Sequence, residues 1–202
     1  MNKEFIKRLF SSIILVPVSL FFIVKGSFFF NFFISICFII TVSEWHIMSK
    51  KKSYYLIGFV FLFFSFYTVY YLRNYDGNNY TIFLLVLITC VATDIGGYIF
   101  GKVFRGPKLT KISPNKTYTG MFGSFILPVI FTSLFLNNKD HLGFGTNIEI
   151  PLNFFFIVLL TSLVSQVGDL IISNFKRRSK IKNTGKIIPG HGGLLDRIDG
   201  MI

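Results

Sequence analysis

Six long apolar stretches limit what this chain can fold into, because a water-soluble structure has no place for so many of them. Most are close to the roughly 20 residues that an α-helix needs to cross a bilayer, and the first two are slightly shorter. The sequence therefore predicts an all-α polytopic membrane protein with about six transmembrane helices. The predicted spans are Leu9–Val24, Ser27–Ser43, Tyr54–Leu72, Tyr80–Phe100, Tyr118–Leu136 and Leu152–Asn174.

The composition argues against a soluble protein of the same length. Hydrophobic residues make up 52% of the 202 positions and only 15% are charged, whereas soluble domains average about 25% charged residues. Cys37 and Cys90 both lie inside apolar runs, so a disulfide framework is not expected. With no internal repeat, linker or second soluble domain, residues 1–202 are interpreted as one integral-membrane domain.

The distribution of basic residues predicts the orientation of the spans. The chain has 21 Lys and Arg against 9 Asp and Glu, which gives a net charge of +12. Only Lys25, Arg73 and Lys139 fall on one side of the predicted spans, and all the other basic residues fall on the opposite side. By the positive-inside rule, the N-terminus and the loops after the second, fourth and sixth spans are cytoplasmic. Topology thus accounts for the charge, and nucleic-acid binding is not predicted.

Three acidic residues lie in or beside the apolar spans, near their predicted cytoplasmic ends. They are Glu44, Asp94 and Asp169, on the second, fourth and sixth spans. Ionisable groups inside a membrane are costly and are functional candidates by default. At a similar depth on three helices, they are expected to converge on a shallow cavity that faces the cytoplasm. For Glu44, which adjoins Trp45 and His46, an interfacial position is the alternative.

The loop after the fourth span combines glycines with hydroxyl groups and lysine. Gly96, Gly97 and Gly101 would allow a second helix or backbone to approach closely. The segment Ser113–Thr117 brings hydroxyls and Lys116 to the predicted start of the fifth helix. Free N–H groups at a helix N-terminus bind phosphate, and a lysine adds a point charge. An ordinary Ser/Thr helix cap explains the same residues and is compatible with a phosphate site.

The last part of the chain joins the sixth apolar span to a basic, glycine-bearing loop. Asp169 lies inside the span, whereas Asp196 and Asp199 flank Arg197 after a His-Gly-Gly run. Carboxylates opposite a cationic stretch, with glycines between, suit a metal–polyphosphate complex. An ordinary cytoplasmic basic loop would explain the lysines but not these acids. Without Cys or clustered His, the carboxylates favour Mg²⁺ over Zn²⁺. The cationic residues between the acids are Lys176, Arg177, Arg178, Lys180, Lys182 and Lys186.

This loop resembles the signature of phosphatidate cytidylyltransferases, also called CDP-diacylglycerol synthases. Residues 173–199, which read SNFKRRSKIKNTGKIIPGHGGLLDRID, fit that signature at the expected spacing. Glu44-Trp45, Gln166–Ser173 and residues 94–120 also resemble blocks of the family. The resemblance therefore covers most of the chain. The matching signature residues are Ser173, Phe175, Lys176, Arg177, Lys182, Gly185, Ile188, Pro189, His191, Gly192, Gly193, Leu194, Asp196, Arg197, Ile198 and Asp199.

The resemblance implies an enzyme of a bacterial inner membrane that converts CTP and phosphatidate to CDP-diacylglycerol and pyrophosphate with Mg²⁺. Asp169 and Asp196 are expected to hold the metal, with Asp199 as a third acid. Lys176 and Arg197 would neutralise the triphosphate or the departing pyrophosphate. Membrane lipids would enter between the helices, and the sequence leaves open a second cation such as K⁺ and a homodimer. The expected substrate-binding residues are Ser113, Lys116, Thr117, Ser173, Arg177, His191, Gly192, Gly193 and Asp94.

Two departures from the family leave other interpretations open. Asn183 stands where the family has Asp, and the family pattern continues past Ile202 into a further membrane helix. The resemblance thus predicts that a C-terminal helix is missing, and an inactive truncated remnant is one alternative. A membrane lipid or polyprenol kinase, which would release a nucleoside diphosphate, is another. An ion or solute transporter is the third, although transport favours acids near the midplane and openings on both faces.

Overall fold

The computed structural model describes residues 3–74, 80–110, 113, 116–138 and 153–202. Lys139 and residues 114 and 115 of the segment Ser113–Thr117 lie outside this part. The described residues form helices and two isolated β-bridges but no strand, so the prediction of an all-α protein is confirmed. Within the described ranges, six helices are long and apolar enough to cross a membrane, as predicted. The helices are α1 (Lys3–Lys25), α2 (Ser27–Ser49), α3 (Tyr55–Asn74), α4 (Thr81–Phe104), α5 (Tyr118–Asn138), α6 (Phe154–Arg178) and the short α7 (Leu195–Ile198).

The first two helices are longer than the apolar stretches that predicted them. Both contain 23 residues, so the prediction of two slightly short spans is wrong. α1 begins at Lys3 rather than Leu9, and α2 continues from Ser43 to Ser49. Lys, Arg, Glu and Met all have high helix propensity, so the backbone stays helical where the apolar run ends. Hydropathy therefore marks the apolar part of each span and not the whole helix.

Large apolar side chains cover the outer faces of the long helices. Phe10, Ile47, Leu56, Phe122 and Phe156 are typical, and each is well exposed on the isolated chain. Soluble monomers rarely expose contiguous apolar surface on this scale, because water penalises it. The chain is therefore an integral membrane protein, as the sequence predicted.

The chain divides into two compact units, which are described separately. The first contains residues 1–80 and 175–200, with α1, α2, α3 and α7. The second contains residues 81–174, with α4, α5 and most of α6. The organisation of residues 1–202 as one domain stays a prediction.

Trp45 of α2 organises the packing of the first unit, and its side chain is almost fully buried. Its Nε1 donates to the Tyr55 carbonyl oxygen at 3.0 Å, which fixes the indole against the start of α3. The indole packs edge-on against Phe175, with ring centroids 5.3 Å apart. Tyr54 packs on the same Phe175 ring at 4.7 Å, and its hydroxyl lies 2.8 Å from Ser179 Oγ. These contacts anchor the start of the signature-like stretch to α2 and α3.

The turn between α1 and α2 depends on Gly26 and Arg73. Gly26 has a φ of 62°, in the left-handed region that glycine adopts without strain. Arg73 is buried, and its Nε donates to the Ile23 carbonyl oxygen at 2.8 Å, near the end of α1. Its guanidinium carbon lies 5.8 Å from the Phe30 ring centroid and 5.0 Å from that of Tyr80. The cation thus satisfies a helix-terminal carbonyl and closes the helical hairpin against aromatic faces.

In the second unit, α4 and α5 pack closely because glycines line their contact. A Cβ on Gly96 would overlap the carbonyl of Gly123, and a Cβ on Gly120 would lie 2.6 Å from the Gly97 carbonyl oxygen. The predicted close approach at Gly96 and Gly97 is confirmed, in the manner of small-residue packing between membrane helices.

Buried hydroxyl groups also join the three helices of the second unit. Thr93 Oγ1 on α4 lies 3.0 Å from Ser162 Oγ on α6. Ser162 Oγ donates to the Ser124 carbonyl oxygen on α5 at 2.5 Å, and Ser124 Oγ donates to the Thr93 carbonyl oxygen at 2.8 Å. Each of these three hydroxyls therefore has a partner on another helix, and the hydrogen bonds fix the register of the three helices.

Replacing Gly96 by alanine is expected to destabilise the second unit. Alanine favours a helix over glycine by about 1 kcal/mol, but the added methyl must displace the Gly123 backbone, and overpacking costs about 1–3 kcal/mol. The thermal unfolding midpoint in detergent should therefore fall in Gly96→Ala. It should stay near the parent value in Thr68→Ala, which changes an exposed residue of α3. An unchanged or raised midpoint in Gly96→Ala would contradict the close contact.

Candidate active site

Residues 175–200 form a compact loop in the first unit. The N–H of Ile181 donates to the Lys176 carbonyl oxygen at 3.0 Å, where α6 ends. Further on, Ile188 and Gly192 form an antiparallel bridge around a tight turn. Gly190 and Gly192 have φ values of 76° and 92°, which strain other residues and favour glycine. The turn leads the chain directly into α7, which carries Asp196.

Asp196 accepts three hydrogen bonds within this loop, and its side chain is only 4% exposed. Its Oδ2 accepts the N–H of Thr184 at 2.8 Å and the N–H of Gly193 at 3.0 Å. Its Oδ1 accepts from Lys176 Nζ, also at 3.0 Å. Because two N–H donors occupy Oδ2, a further cation would have to approach Oδ1, which the Lys176 ammonium also contacts.

Asp196 and Asp199 converge on the ammonium group of Lys176. Nζ lies 3.0 Å from Asp196 Oδ1 and 3.3 Å from Asp199 Oδ2. The three side chains together carry one negative charge, so the cluster attracts a further cation. Among the described residues, no group of three or more His, Cys, Asp or Glu side chains forms a metal cluster. Two carboxylates without Cys or His suit a hard cation that keeps water and substrate phosphate as ligands, as Mg²⁺ does.

Glu44 of α2 is buried beside the same loop, at 2% exposure. Its carboxylate accepts hydrogen bonds from Leu194 N, Leu195 N and Thr184 Oγ1, each at 2.9 Å. The Leu194 and Leu195 amides open α7, so Glu44 caps this short helix from another element of the unit. The structure therefore favours a buried role for Glu44 over the interfacial alternative.

Two glycines of the signature leave room for Glu44. A Cβ on Gly193 would overlap Glu44 Oε2 and Thr184 Oγ1. A Cβ on Gly185 would lie 2.7 Å from Glu44 Oε1. The absence of a side chain at both positions allows the backbone to meet the carboxylate. This is a second physical reason for the glycines, beside the predicted role of Gly193 in substrate binding.

His191 connects the loop to α1. Its Nδ1 lies 2.7 Å from Ser11 Oγ, and Arg8 Nε donates to the Gly190 carbonyl oxygen at 2.9 Å. Burial lowers the pKa of His191 below its ordinary value, and the positive charges of Arg197 and Arg8 lower it further. The imidazole is therefore neutral at pH 7, and its described contact is a hydrogen bond within the protein.

The remaining basic residues predicted for the loop point to solvent. Arg177 and Arg197 are both exposed, so their guanidinium groups are accessible to a polyanion. Arg177 belongs to the last turn of α6, where Lys176 and Arg178 also lie. Cations at a helix C-terminus are stabilised by the helix dipole. The loop thus combines a fixed lysine with accessible arginines.

The second unit holds Lys116 and Asp169 as an ion pair, with Nζ 2.5 Å from Oδ2. Asp169 Oδ1 also accepts from Ser173 Oγ at 3.2 Å. Both members of the pair line a cavity of about 140 Å³, together with Asp94 and Thr117. The predicted residues Asp94, Lys116, Thr117 and Asp169 are therefore brought together around one cavity of this unit.

Thr117 caps α5, since its Oγ1 accepts the N–H of Gly120 at 3.1 Å. The interpretation of this residue as a helix cap is confirmed. Ser113 lies in the turn before it, where its carbonyl oxygen accepts the N–H of Lys116 at 3.1 Å. The phosphate-binding role of Ser113, Lys116 and Thr117 stays a prediction.

Two residues around these sites were not singled out by the sequence analysis. Thr184 donates through its N–H to Asp196 and through its hydroxyl to Glu44, and no motif marks it apart from its place before Gly185. Gln166 lines the cavity of the second unit, and its buried Nε2 has no hydrogen-bond partner among the described residues. The sequence feature that could have identified Gln166 is its place in the Gln166–Ser173 block.

Comparison with known proteins identifies the family. The profile of the Cytidylyltransferase family matches residues 53–202. The phosphatidate cytidylyltransferase of Rickettsia typhi is 35% identical over 167 residues, which cover 80% of this chain and 71% of that protein. That of Rickettsia prowazekii is 37% identical over the same shares. That of Staphylococcus haemolyticus is 36% identical over 147 residues, which cover 72% of this chain and 51% of that protein. The match thus spans about half the length of the staphylococcal relative.

The fold and the loop define an integral membrane protein whose first unit brings two carboxylates and a lysine together, as a nucleotidyltransferase requires. The chain belongs to the cytidylyltransferase family and is an enzyme of that class. The resemblance seen in the sequence is confirmed, and the kinase and transporter alternatives lose their support. The family is generally metal-dependent.

Proposed function

We propose that this chain transfers the cytidylyl group of CTP to phosphatidate, with Mg²⁺, and forms CDP-diacylglycerol and pyrophosphate. The observation that carries the proposal is the convergence of Asp196 and Asp199 on Lys176, inside the region that the family profile matches. Both substrates are polyanions. The carboxylates of this cluster suit a metal ion that would bind their phosphates, and Lys176 and the exposed arginines beside it add positive charge. The names of the Rickettsia and Staphylococcus relatives support the same substrates.

The reaction forms one P–O bond and breaks another. A phosphate oxygen of phosphatidate attacks the α-phosphorus of CTP, the bond to the bridging oxygen of the β-phosphate breaks, and its electron pair leaves with pyrophosphate. The attacking monoester is already ionised at pH 7, so no Ser–His or Cys–His pair is required. The protein has to hold two polyanions in line and offset their charge.

The cations of the first unit are proposed to hold the triphosphate. Lys176 is fixed by two carboxylates, whereas Arg177 and Arg197 are exposed and accessible to CTP. Negative charge accumulates on the β- and γ-phosphates as pyrophosphate departs. A lysine that is already fixed stabilises this charge without reorganising, which is how preorganised groups lower a barrier.

Asp196 and Asp199 of the first unit are proposed to hold Mg²⁺, and Asp169 of the second unit is separately proposed as a Mg²⁺ ligand. In the first unit, the available oxygens are Asp196 Oδ1 and Asp199 Oδ2, which already face one cation. In the second unit, Asp169 offers a carboxylate that is 24% exposed. Bound Mg²⁺ supplies charge neutralisation and polarises a phosphoryl oxygen. A second cation such as K⁺ and a homodimer stay predictions.

The cavity of the second unit is proposed to bind a substrate phosphate. Its positive charge comes from Lys116, and hydrogen-bond donors come from Thr117, Gln166 and the neighbouring Ser113. The buried amide of Gln166 would gain a partner from a phosphate oxygen, which removes an unfavourable unpaired donor. Substrate binding also stays the proposed role of five further residues, which are His191, Gly192, Gly193, Ser173 and Asp94.

The proposed orientation has the N-terminus and the active-site loop in the cytoplasm, in a bacterial inner membrane. The basic residues at the ends of α2, α4 and α6 support it through the positive-inside rule. The relatives are bacterial proteins. CTP would arrive from the cytoplasm, and phosphatidate would enter from the membrane between the helices.

The purified chain in detergent, with phosphatidate and Mg²⁺, should incorporate label into lipid from CTP labelled at the α-phosphorus. CTP labelled at the γ-phosphorus should leave the lipid unlabelled and release labelled pyrophosphate. The two labels separate nucleotidyl transfer from a kinase reaction, which would move the γ-phosphate and leave CDP. Controls without phosphatidate and with excess chelator should give no lipid label.

Lipid label from the γ-phosphate would replace the proposed reaction by phosphorylation. An absence of lipid label from both nucleotides, in a preparation with an intact unfolding transition, would reject the activity for this chain. Label that persists with excess chelator would reject the metal.

A further inference from the structure

Glu44 is a buried acid, and every hydrogen bond that the described residues make with its carboxylate comes from the signature loop. Burying a carboxylate in a low-dielectric interior is strongly unfavourable unless hydrogen bonds compensate it. Here the donors are Thr184 Oγ1, Leu194 N and Leu195 N. Within the described residues, no Lys or Arg forms a salt bridge with Glu44. Glu44 therefore holds two separate points of the loop against α2, namely Thr184 and the start of α7 at Leu194 and Leu195.

Both clamped points set the position of Asp196. Leu194 and Leu195 directly precede it in the chain. Thr184 contacts Asp196 from an earlier part of the loop. The N–H of Thr184 donates to Asp196 Oδ2 at 2.8 Å, and the hydroxyl of Thr184 donates to Glu44. A continuous chain of hydrogen bonds thus runs from Glu44 through Thr184 and Asp196 to Lys176.

Packing alone would not require a charged side chain at Glu44. An apolar side chain of similar volume fills a buried space without the desolvation of an acid. A carboxylate offers two oxygens with fixed directions, and here both accept N–H or O–H groups of the loop. Gly185 and Gly193 lack the Cβ that would push the loop away from it.

We propose that Glu44 is a positioning residue for nucleotidyl transfer, which holds Asp196 and Lys176 in their reactive arrangement through Thr184 and the start of α7. It does not contact the substrates in this role. The inference rests on the proposed function, since it assigns Glu44 to the reaction at that site. Because small displacements of reacting groups reduce rates strongly, loss of the clamp should act on kcat rather than on substrate binding.

The test compares Glu44→Gln with a matched pair of variants at Thr184. Glutamine has nearly the same shape, but it is neutral and directs an amide N–H₂ at one of the loop's donors. Thr184→Val removes the hydroxyl and keeps the shape, whereas Thr184→Ser keeps the hydroxyl. Ser43→Ala serves as the control, because Ser43 is the exposed neighbour of Glu44 on α2.

In Glu44→Gln, kcat is expected to fall by about 10–100-fold, with KM for CTP within about threefold of the parent. In Thr184→Val, kcat should also fall while KM for CTP stays near the parent value, but the fall should be smaller than in Glu44→Gln. Thr184→Ser should keep most of the parent kcat. Ser43→Ala should match the parent. Thermal unfolding midpoints measured on the same preparations keep loss of folded protein separate from loss of rate.

A parent-like kcat in folded Glu44→Gln would overturn the proposal, even if its unfolding midpoint fell. If Glu44→Gln does not fold, the Thr184 pair decides, and equal rates in the valine and serine variants would overturn it. A parent chain that forms no CDP-diacylglycerol would instead reject the proposed function, so the two failures are distinguishable.

Discussion

Asp196→Asn is expected to reduce formation of CDP-diacylglycerol by at least about 10³-fold, which corresponds to about 4 kcal/mol of barrier. The asparagine amide must face either the N–H groups of Thr184 and Gly193 or the ammonium of Lys176. Each choice sets donor against donor in a side chain that is only 4% exposed, so water cannot relieve the conflict. Hydrogen bonds to charged groups contribute about 1.5–3 kcal/mol each. The variant also loses the carboxylate proposed for Mg²⁺.

The measurement is the initial rate of lipid labelling from CTP labelled at the α-phosphorus, at saturating and at low Mg²⁺. Asp140→Asn is the matched control, because it makes the same chemical change at an acid that the proposed site does not use. Asp196→Glu keeps the charge and should retain more activity than Asp196→Asn. A rate for Asp196→Asn within about tenfold of the parent would remove Asp196 from the catalytic groups.

The helices of this protein were predictable because the bilayer imposes one length on every span. A run of about 20 apolar residues leaves few alternatives to a helix, and Gly96 and Gly97 indicated close packing from the sequence alone. Their partners Gly120 and Gly123 were identified by the structure. Helix ends were less predictable. α2 continues through Glu44 and Trp45 to Ser49, since helix propensity and tertiary contacts, not hydropathy, decide where a helix stops.

The contacts of the candidate site were less accessible to sequence reasoning than its residues. The signature named Lys176, Asp196 and Asp199, and the structure brings these three together. Glu44 reaches partners 140 to 151 residues further along the chain, and no local pattern encodes a pairing at such a separation. The role of Thr184 is equally hidden, because it depends on the simultaneous positions of two acids.

The ion pair of Lys116 and Asp169 has two explanations that differ in the size of their effects. As a structural contact between partly exposed side chains, 27% and 24% accessible, it is worth about 0.2–1 kcal/mol after solvent screening. A loss of that size changes a rate by less than about tenfold. As functional groups, with Lys116 binding phosphate and Asp169 holding Mg²⁺, each would matter to the reaction separately. Loss of either should then cost about 10²–10³-fold.

Exchanging the two charges separates these explanations. Lys116→Ala and Asp169→Asn should each lose about 10²–10³-fold in lipid labelling, and the double variant Lys116→Asp with Asp169→Lys should recover the unfolding midpoint but not the activity. The exchange keeps an ion pair, yet it directs a carboxylate at the phosphate position and an ammonium at the metal position. The Coulomb attraction of the pair is the same when the two charges are exchanged, but the proposed binding of phosphate and Mg²⁺ is not. Recovery of activity to within about tenfold of the parent would therefore show that the pair is only a structural contact. Failure to recover would assign the two side chains separate roles in nucleotidyl transfer.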